Sequence, residues 1–201
     1  MNKLISMLLT TCALTASCAH AATIRAQIVD DAGAPVQDAI VYALPVSGKL
    51  PAAKPAGAII DQIRRRFVPM VSVVQTGASV TFPNKDNFEH DVYSFSPPKR
   101  FELNLYHGVP ANPVVFDKPG LVVMGCNIHD SMVAYLLIVD TPWFAKTDAS
   151  GAAVIENMPA DSYRLIAWHF RQRDPNAQPT QKLSVAADVT AKFALPLRPA
   201  E

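Results

Sequence analysis

The sequence predicts an all-β protein built as an antiparallel sandwich or barrel, and three observations carry this. Apolar and polar residues alternate with a period of two, as in Ile24, Ala26 and Ile28 against Thr23, Arg25 and Gln27, the pattern of a strand with one buried face. Turn signals recur at short spacing, as at Asp30-Asp31-Ala32-Gly33, Thr76-Gly77 and Lys118-Pro119-Gly120, which favours many short strands. Only 59–66 admits a helical reading.

Residues 1–21 come first. Lys3 precedes an apolar run, and Ala19-His20-Ala21 places small residues at −3 and −1. This is the pattern of a secretory signal peptide cut after Ala21, and it implies a periplasmic protein. The run is short for a membrane span, and no later segment is long and apolar enough for one. Lipidation at Cys18 is the weaker alternative, since Thr15-Ala16-Ser17 lacks a large aliphatic residue at −3. About 180 residues then remain, enough for one or two small domains with cores of their own. Cys12 and Cys18 leave with the signal, so the mature chain keeps Cys126 alone. A lone thiol in an oxidising compartment is expected to be buried, paired with another chain or bound to metal.

The first two strands, around 23–28 and 39–44, are followed by a Pro- and Ala-rich connection over 45–57. A central block holds candidate strands at 69–74, 78–82, 91–95, 101–105, 114–116, 121–124 and 132–139. The last of these is almost wholly apolar and is expected at the centre of a sheet. Beyond Pro142 come strands at 152–155, 163–168, 181–185 and 189–195. The turn Asp148-Ala149-Ser150-Gly151-Ala152 echoes Asp30-Asp31-Ala32-Gly33-Ala34, a faint repeat on the two flanks.

The chemistry concentrates in Cys126-Asn127-Ile128-His129-Asp130-Ser131-Met132, a Cys-x2-His-x2-Met spacing between two apolar strands. A thiolate, an imidazole and a thioether are soft or borderline donors that favour copper, Cu(I) especially. A second imidazole completes a trigonal plane with a weak axial methionine, and His90, at a strand start 36 positions before the cysteine, is the candidate. The predicted metal ligands are therefore His90, Cys126, His129 and Met132. His107 reads as a solvated turn residue and His169 as structural.

Phe82-Pro83-Asn84-Lys85-Asp86, then His90-Asp91-Val92, then the Cys126 loop resemble the cupredoxins, over about 80 residues. The loop spacing is similar to that of the amicyanins, with a shorter second gap than in plastocyanins. The whole chain resembles periplasmic proteins of the methylamine utilisation type. The resemblance implies a Greek-key sandwich over 58–142 holding one type 1 copper per chain. Many cupredoxins carry asparagine after the first histidine, where this chain has Asp91. Asp91 is expected to accept a hydrogen bond from the Asn127 amide or a loop N–H. With Ala34-Pro35-Val36-Gln37-Asp38-Ala39, Thr147-Asp148-x2-Gly151 and Met158-Pro159-Ala160-Asp161-Ser162-Tyr163, the flanks, 23–48 and 143–199, resemble the transthyretin-like β-domains of carboxypeptidases. They imply one discontinuous domain into which the copper domain is inserted.

The function expected is transfer of single electrons between redox partner proteins, with a copper carrier or sensor as the alternative. Enzymatic activity is not expected. Copper reductases and oxidases place a histidine beside the type 1 cysteine, whereas the neighbours here are Gly125 and Asn127. Charge points to no nucleic-acid partner, because basic and acidic residues balance at 17 each once Lys3 is removed. Arg64-Arg65-Arg66 and Lys99-Arg100 read as solvated edges, and the sequence leaves the oligomeric state open. His129 is expected at an exposed, apolar end of the sandwich near Pro83, Val109, Pro110 and Ile128, with His90 deeper.

Overall fold

A computed structural model describes residues 21–199. The signal-peptide reading of 1–21 lies almost wholly outside them. Every regular element among the described residues is a strand, as the alternation predicts. In chain order these are β1 (Ala22–Asp30), β2 (Ile40–Pro45), β3 (Ala58–Ile59), β4 (Asp61–Gln62), β5 (Phe67–Val68), β6 (Val71–Gln75), β7 (Ala78–Thr81), β8 (His90–Ser94) and β9 (Phe101–Tyr106). They continue with β10 (Val114–Phe116), β11 (Gly120–Gly125), β12 (Val133–Val139), β13 (Phe144–Lys146), β14 (Ala152–Met158), β15 (Asp161–Trp168), β16 (Thr180–Val185) and β17 (Val189–Leu195). No helix among them is long and apolar enough to cross a membrane.

The strands form two sandwiches with separate cores. Strands from both ends of the chain build the first. One sheet runs β14-β1-β17 and the other β13-β2-β15-β16. Between them lie Ile24, Ile28, Val41, Tyr163, Leu165 and Phe193, all buried. β1 pairs antiparallel with β14 and parallel with β17, so residues about 165 positions apart share a sheet. The echoed turns take one conformation. Asp30 Oδ1 accepts from the Ala32 and Ala34 N–H groups, and Asp148 Oδ1 from those of Ser150 and Ala152. Gly33 and Gly151 close the turns at φ 83° and 75°, a region where a side chain is disfavoured. At Gly151 a Cβ would also collide with the Ile28 carbonyl oxygen.

The second sandwich faces a sheet β6-β12-β11-β8-β9 with a small sheet β10-β7-β3. Phe82, Val92, Phe116, Val122, Met124 and Leu136 fill it. β12 is central, between β11 and β6, and both its faces are covered. Ala134, Leu136 and Ile138 enter this core. Leu137 and Val139 turn the other way and pack with Val71, Ile40, Ile166 and Trp168 in a third cluster that joins the two sandwiches. That explains its nearly unbroken apolar run: from Leu136 to Val139 neither face meets water.

The helical reading of 59–66 is wrong. The stretch is two short strands and a hairpin turn, in which Ile63 and Arg66 exchange backbone hydrogen bonds at 2.9 and 3.1 Å. Arg64 and Arg65 stand at φ 53° and 57°, left-handed geometry that a helix cannot contain. A carboxylate decides it: Asp86 accepts from the Arg64 N–H at 2.6 Å and from the Arg65 N–H at 2.9 Å.

His107 is exposed and His169 buried. His169 Nδ1 accepts from the Arg171 N–H at 3.1 Å. Burial lowers its pKa to about 4, and the Arg171 charge acts in the same direction. The unfolded ring takes up a proton near pH 6.5, so between these values the unfolded chain binds more protons. Stability from this ring is therefore complete above about pH 6.5 and falls as pH drops towards 4. The fall is roughly 1–2 kcal/mol once water near the ring is allowed for. His169→Asn keeps an acceptor for the Arg171 N–H and should flatten the melting-temperature curve over that range. Equally steep curves for both proteins would refute this account.

Candidate metal centre

Three donors converge at one end of the second sandwich. His90 opens β8 and is wholly buried. Cys126 follows β11 and is 3% exposed. His129 lies on the loop before β12 and is half-buried. Cys126 Sγ stands 3.9 Å from His90 Nδ1 and 3.9 Å from His129 Nδ1, and the three donor atoms lie within 4.8 Å of one another. Bonds of about 2.0–2.3 Å from a shared ion to nitrogen and sulfur span such separations. The donor set fits a soft or borderline cation. Met132 is fully buried in the same core cluster as Cys126, and its N–H closes the ligand turn onto the His129 carbonyl at 2.9 Å.

The chain path explains the convergence. β11 and β12 form an antiparallel hairpin whose connection carries Cys126, His129 and Met132. β8 runs beside β11, with Tyr93 opposite Gly125. Gly125 allows this approach, because a Cβ there would lie 2.9 Å from the Tyr93 ring.

Two carboxylates hold these side chains. Asp91 is 3% exposed and accepts from the Asn127 N–H at 2.8 Å and the Asn127 side-chain amide at 2.7 Å. The sequence anticipated one of these two bonds, and the structure holds both. The Cys126 thiol also donates to Asp91 Oδ1 at 3.0 Å. Burial pushes the Cys126 thiol pKa up, and the bond to Asp91 raises it further. A metal bound at Cys126 would have to displace this proton.

Asp86 is the residue that the sequence reading missed. Its Oδ2 lies 2.9 Å from His90 Nε2, which orients the ring so that Nδ1 faces the sulfur. Burial pushes the Asp86 carboxyl up. Bonds from the Arg65 N–H, His90 and the Arg64 N–H outweigh it, leaving the pKa below the usual carboxylate value. The signal available was an Asp-x3-His spacing in a loop, which carries no pattern of its own. Phe88 was also missed. Its ring centroid is 5.0 Å from that of His90 and 5.6 Å from that of His129. Asn84 holds this loop by donating to the Phe88 and Tyr106 carbonyls, both at 2.8 Å. Beside the half-buried His129, its chain neighbour Ile128 is 52% exposed, which leaves an apolar side chain in solvent at this edge.

No family model matches the chain, and no curated protein matches it. Several solved structures are similar over part of it. A copper-containing nitrite reductase from Thermus scotoductus is 25% identical, with a TM-score of 0.39. That match covers 47% of this chain and 25% of the reductase, so it spans a quarter of that protein's length. A pseudoazurin from Sinorhizobium is 19% identical over 43% of this chain and 76% of its own, with a TM-score of 0.34. A purple cupredoxin from Nitrosopumilus maritimus is 19% identical over 40% of this chain and 98% of its own, with a TM-score of 0.36.

Proposed function

We propose that this chain is an exported electron carrier whose one type 1 copper is held by His90, Cys126, His129 and Met132. The observation that carries the reading is the convergence of two imidazole Nδ1 atoms on one buried thiol, each at 3.9 Å. Bound copper would supply a one-electron couple between Cu(II) and Cu(I), and no bond breaks as the electron passes. The protein's part is to limit rearrangement. Asp86 holds the His90 ring, and Asp91 ties the Cys126 loop to β8. Ligands held this firmly move little when the charge changes, which keeps transfer fast. Core side chains cover His90 and Met132, so His129 offers the electron its shortest way to solvent.

The domain organisation follows the same reading. Residues 23–48 with 143–199 are one β-domain, supported by the pairing of β1 with β14 and β17 and of β2 with β13 and β15. Residues 58–142 are the copper domain, supported by a core of their own.

Titration with Cu(II) should saturate at one equivalent and develop an intense thiolate-to-metal band towards the red end of the visible spectrum. The band should bleach and return on reduction and reoxidation. A protein that stays colourless after loading overturns the reading. Rapid loss of copper to a chelator would favour a copper carrier instead, because an electron shuttle must retain its metal.

A further inference from the structure

We propose that the Arg64-Arg65-Arg66 hairpin is a docking surface for the acidic face of a redox protein, set against the exposed edge of the metal centre. This rests on the electron-carrier reading and adds the chemistry of the partner.

As sequence, three arginines in a row are a solvated edge. The fold places them beside the metal ligands. Arg65 lies over the Phe88 ring, 5.1 Å from its centroid, and that ring contacts His129 at 5.6 Å. The guanidinium is thus within about 11 Å of the His129 ring, close to one Debye length at about 0.1 M salt.

All three arginines are exposed. Their guanidinium groups take part in none of the ion pairs among the described residues. The acids nearest in sequence and fold are already engaged. Asp61 is paired with Lys85 at 2.7 Å, and Asp86 serves His90 and the hairpin's own backbone. Glu89 and Asp130, exposed on the ligand loops, are outnumbered.

The turn itself has no need of arginine, although Arg65 packs on Phe88. A two-residue turn with both positions left-handed favours glycine, asparagine or aspartate. The turn instead carries two like charges, with a third beside them. Arg64 and Arg66 also rim a shallow depression with Ile63 and Val68. Cations around a small apolar floor, next to an apolar edge at Ile128, suit a weak encounter that forms fast and parts fast. Asp86 holds the hairpin in a set position relative to His90, so a partner seated on it meets the His129 edge in one orientation.

The copper-loaded protein would be mixed by stopped flow with two c-type cytochromes of opposite net charge. With the acidic cytochrome, the second-order rate should fall about tenfold or more between low and physiological salt. R64Q/R65Q/R66Q should lower the low-salt rate by a similar factor and leave the copper band unchanged, and the triple lysine variant should restore the rate. The basic cytochrome should gain nothing from the arginines. An undiminished rate for the glutamine variant with the acidic cytochrome overturns the proposal.

A second measurement needs no copper. Hexacyanochromate(III), a redox-inert trianion, should broaden amide signals of residues 63–67 in the copper-free protein and spare them in the glutamine variant. Broadening elsewhere alone, or none, counts equally against the hairpin. A wild-type protein that takes up no copper sinks the electron-carrier reading, and the trianion experiment still judges the surface by itself.

Discussion

Cys126→Ser is expected to abolish the visible band and weaken copper binding more than about 100-fold, beyond the range for changes around a ligand. The thiolate is the one donor that generates the charge-transfer colour, and a serine hydroxyl is a poor ligand for Cu(I). The fold should survive. Cys126 is 3% exposed, serine is nearly the same size, and its hydroxyl can still donate to Asp91. Its cost is placing a more polar group among apolar neighbours, about 1 kcal/mol. Thermal unfolding of the copper-free proteins separates the two effects, since a small shift in Tm with complete loss of colour is the expected pair. Undiminished colour would remove Cys126 from the site.

Asp91→Ala should follow in size. One carboxylate accepts three hydrogen bonds, from the Asn127 N–H, the Asn127 amide and the Cys126 thiol. Its loss frees the ligand loop from β8 and leaves the thiol, the most buried of the three donors, without its acceptor. The expected cost is about 1–3 kcal/mol in the copper-free protein and roughly 10–100-fold in copper retention. Asn127 is exposed and can turn to water, which places the stability loss at the lower end. Asp91→Asn keeps an acceptor and should recover most of the retention. Competition against a chelator measures this, and equal retention in wild type and the alanine variant would show that the loop holds itself.

Strand content and the ligand loop were legible in the sequence because both are local. Alternation in β1 and β17 reports one buried face, and the unbroken apolar run of β12 reports two. Cys126 and His129 sit on one short turn that the Met132 N–H closes, so their spacing alone brings the two donors together. The matching turns at Asp30 and Asp148 were readable for the same reason: each is closed by its own aspartate. β3, β4, β5 and β13 left no signal, since two or three residues cannot display a period; β10 is as short and was legible from the turn signal that follows it.

His90 was a different matter. It was the candidate because the ligand set lacked an imidazole, and no pattern within the chain sets its distance to a cysteine 36 positions away.

By itself, then, the sequence determined the class of fold, the donor chemistry and the turn that presents it, because propensity, alternation and close spacing act between neighbours. Only the tertiary structure decided where distant groups meet. It turned 59–66 from a possible helix into a hairpin, because Asp86, some twenty residues on, holds the left-handed Arg64 and Arg65 amides. The same carboxylate reaches His90, and the hairpin it anchors lays Arg65 over Phe88 beside His129. A charged side chain satisfies whichever donors the packed chain brings within about 3 Å, and that choice is made by the assembled sheets rather than by residues adjacent in sequence.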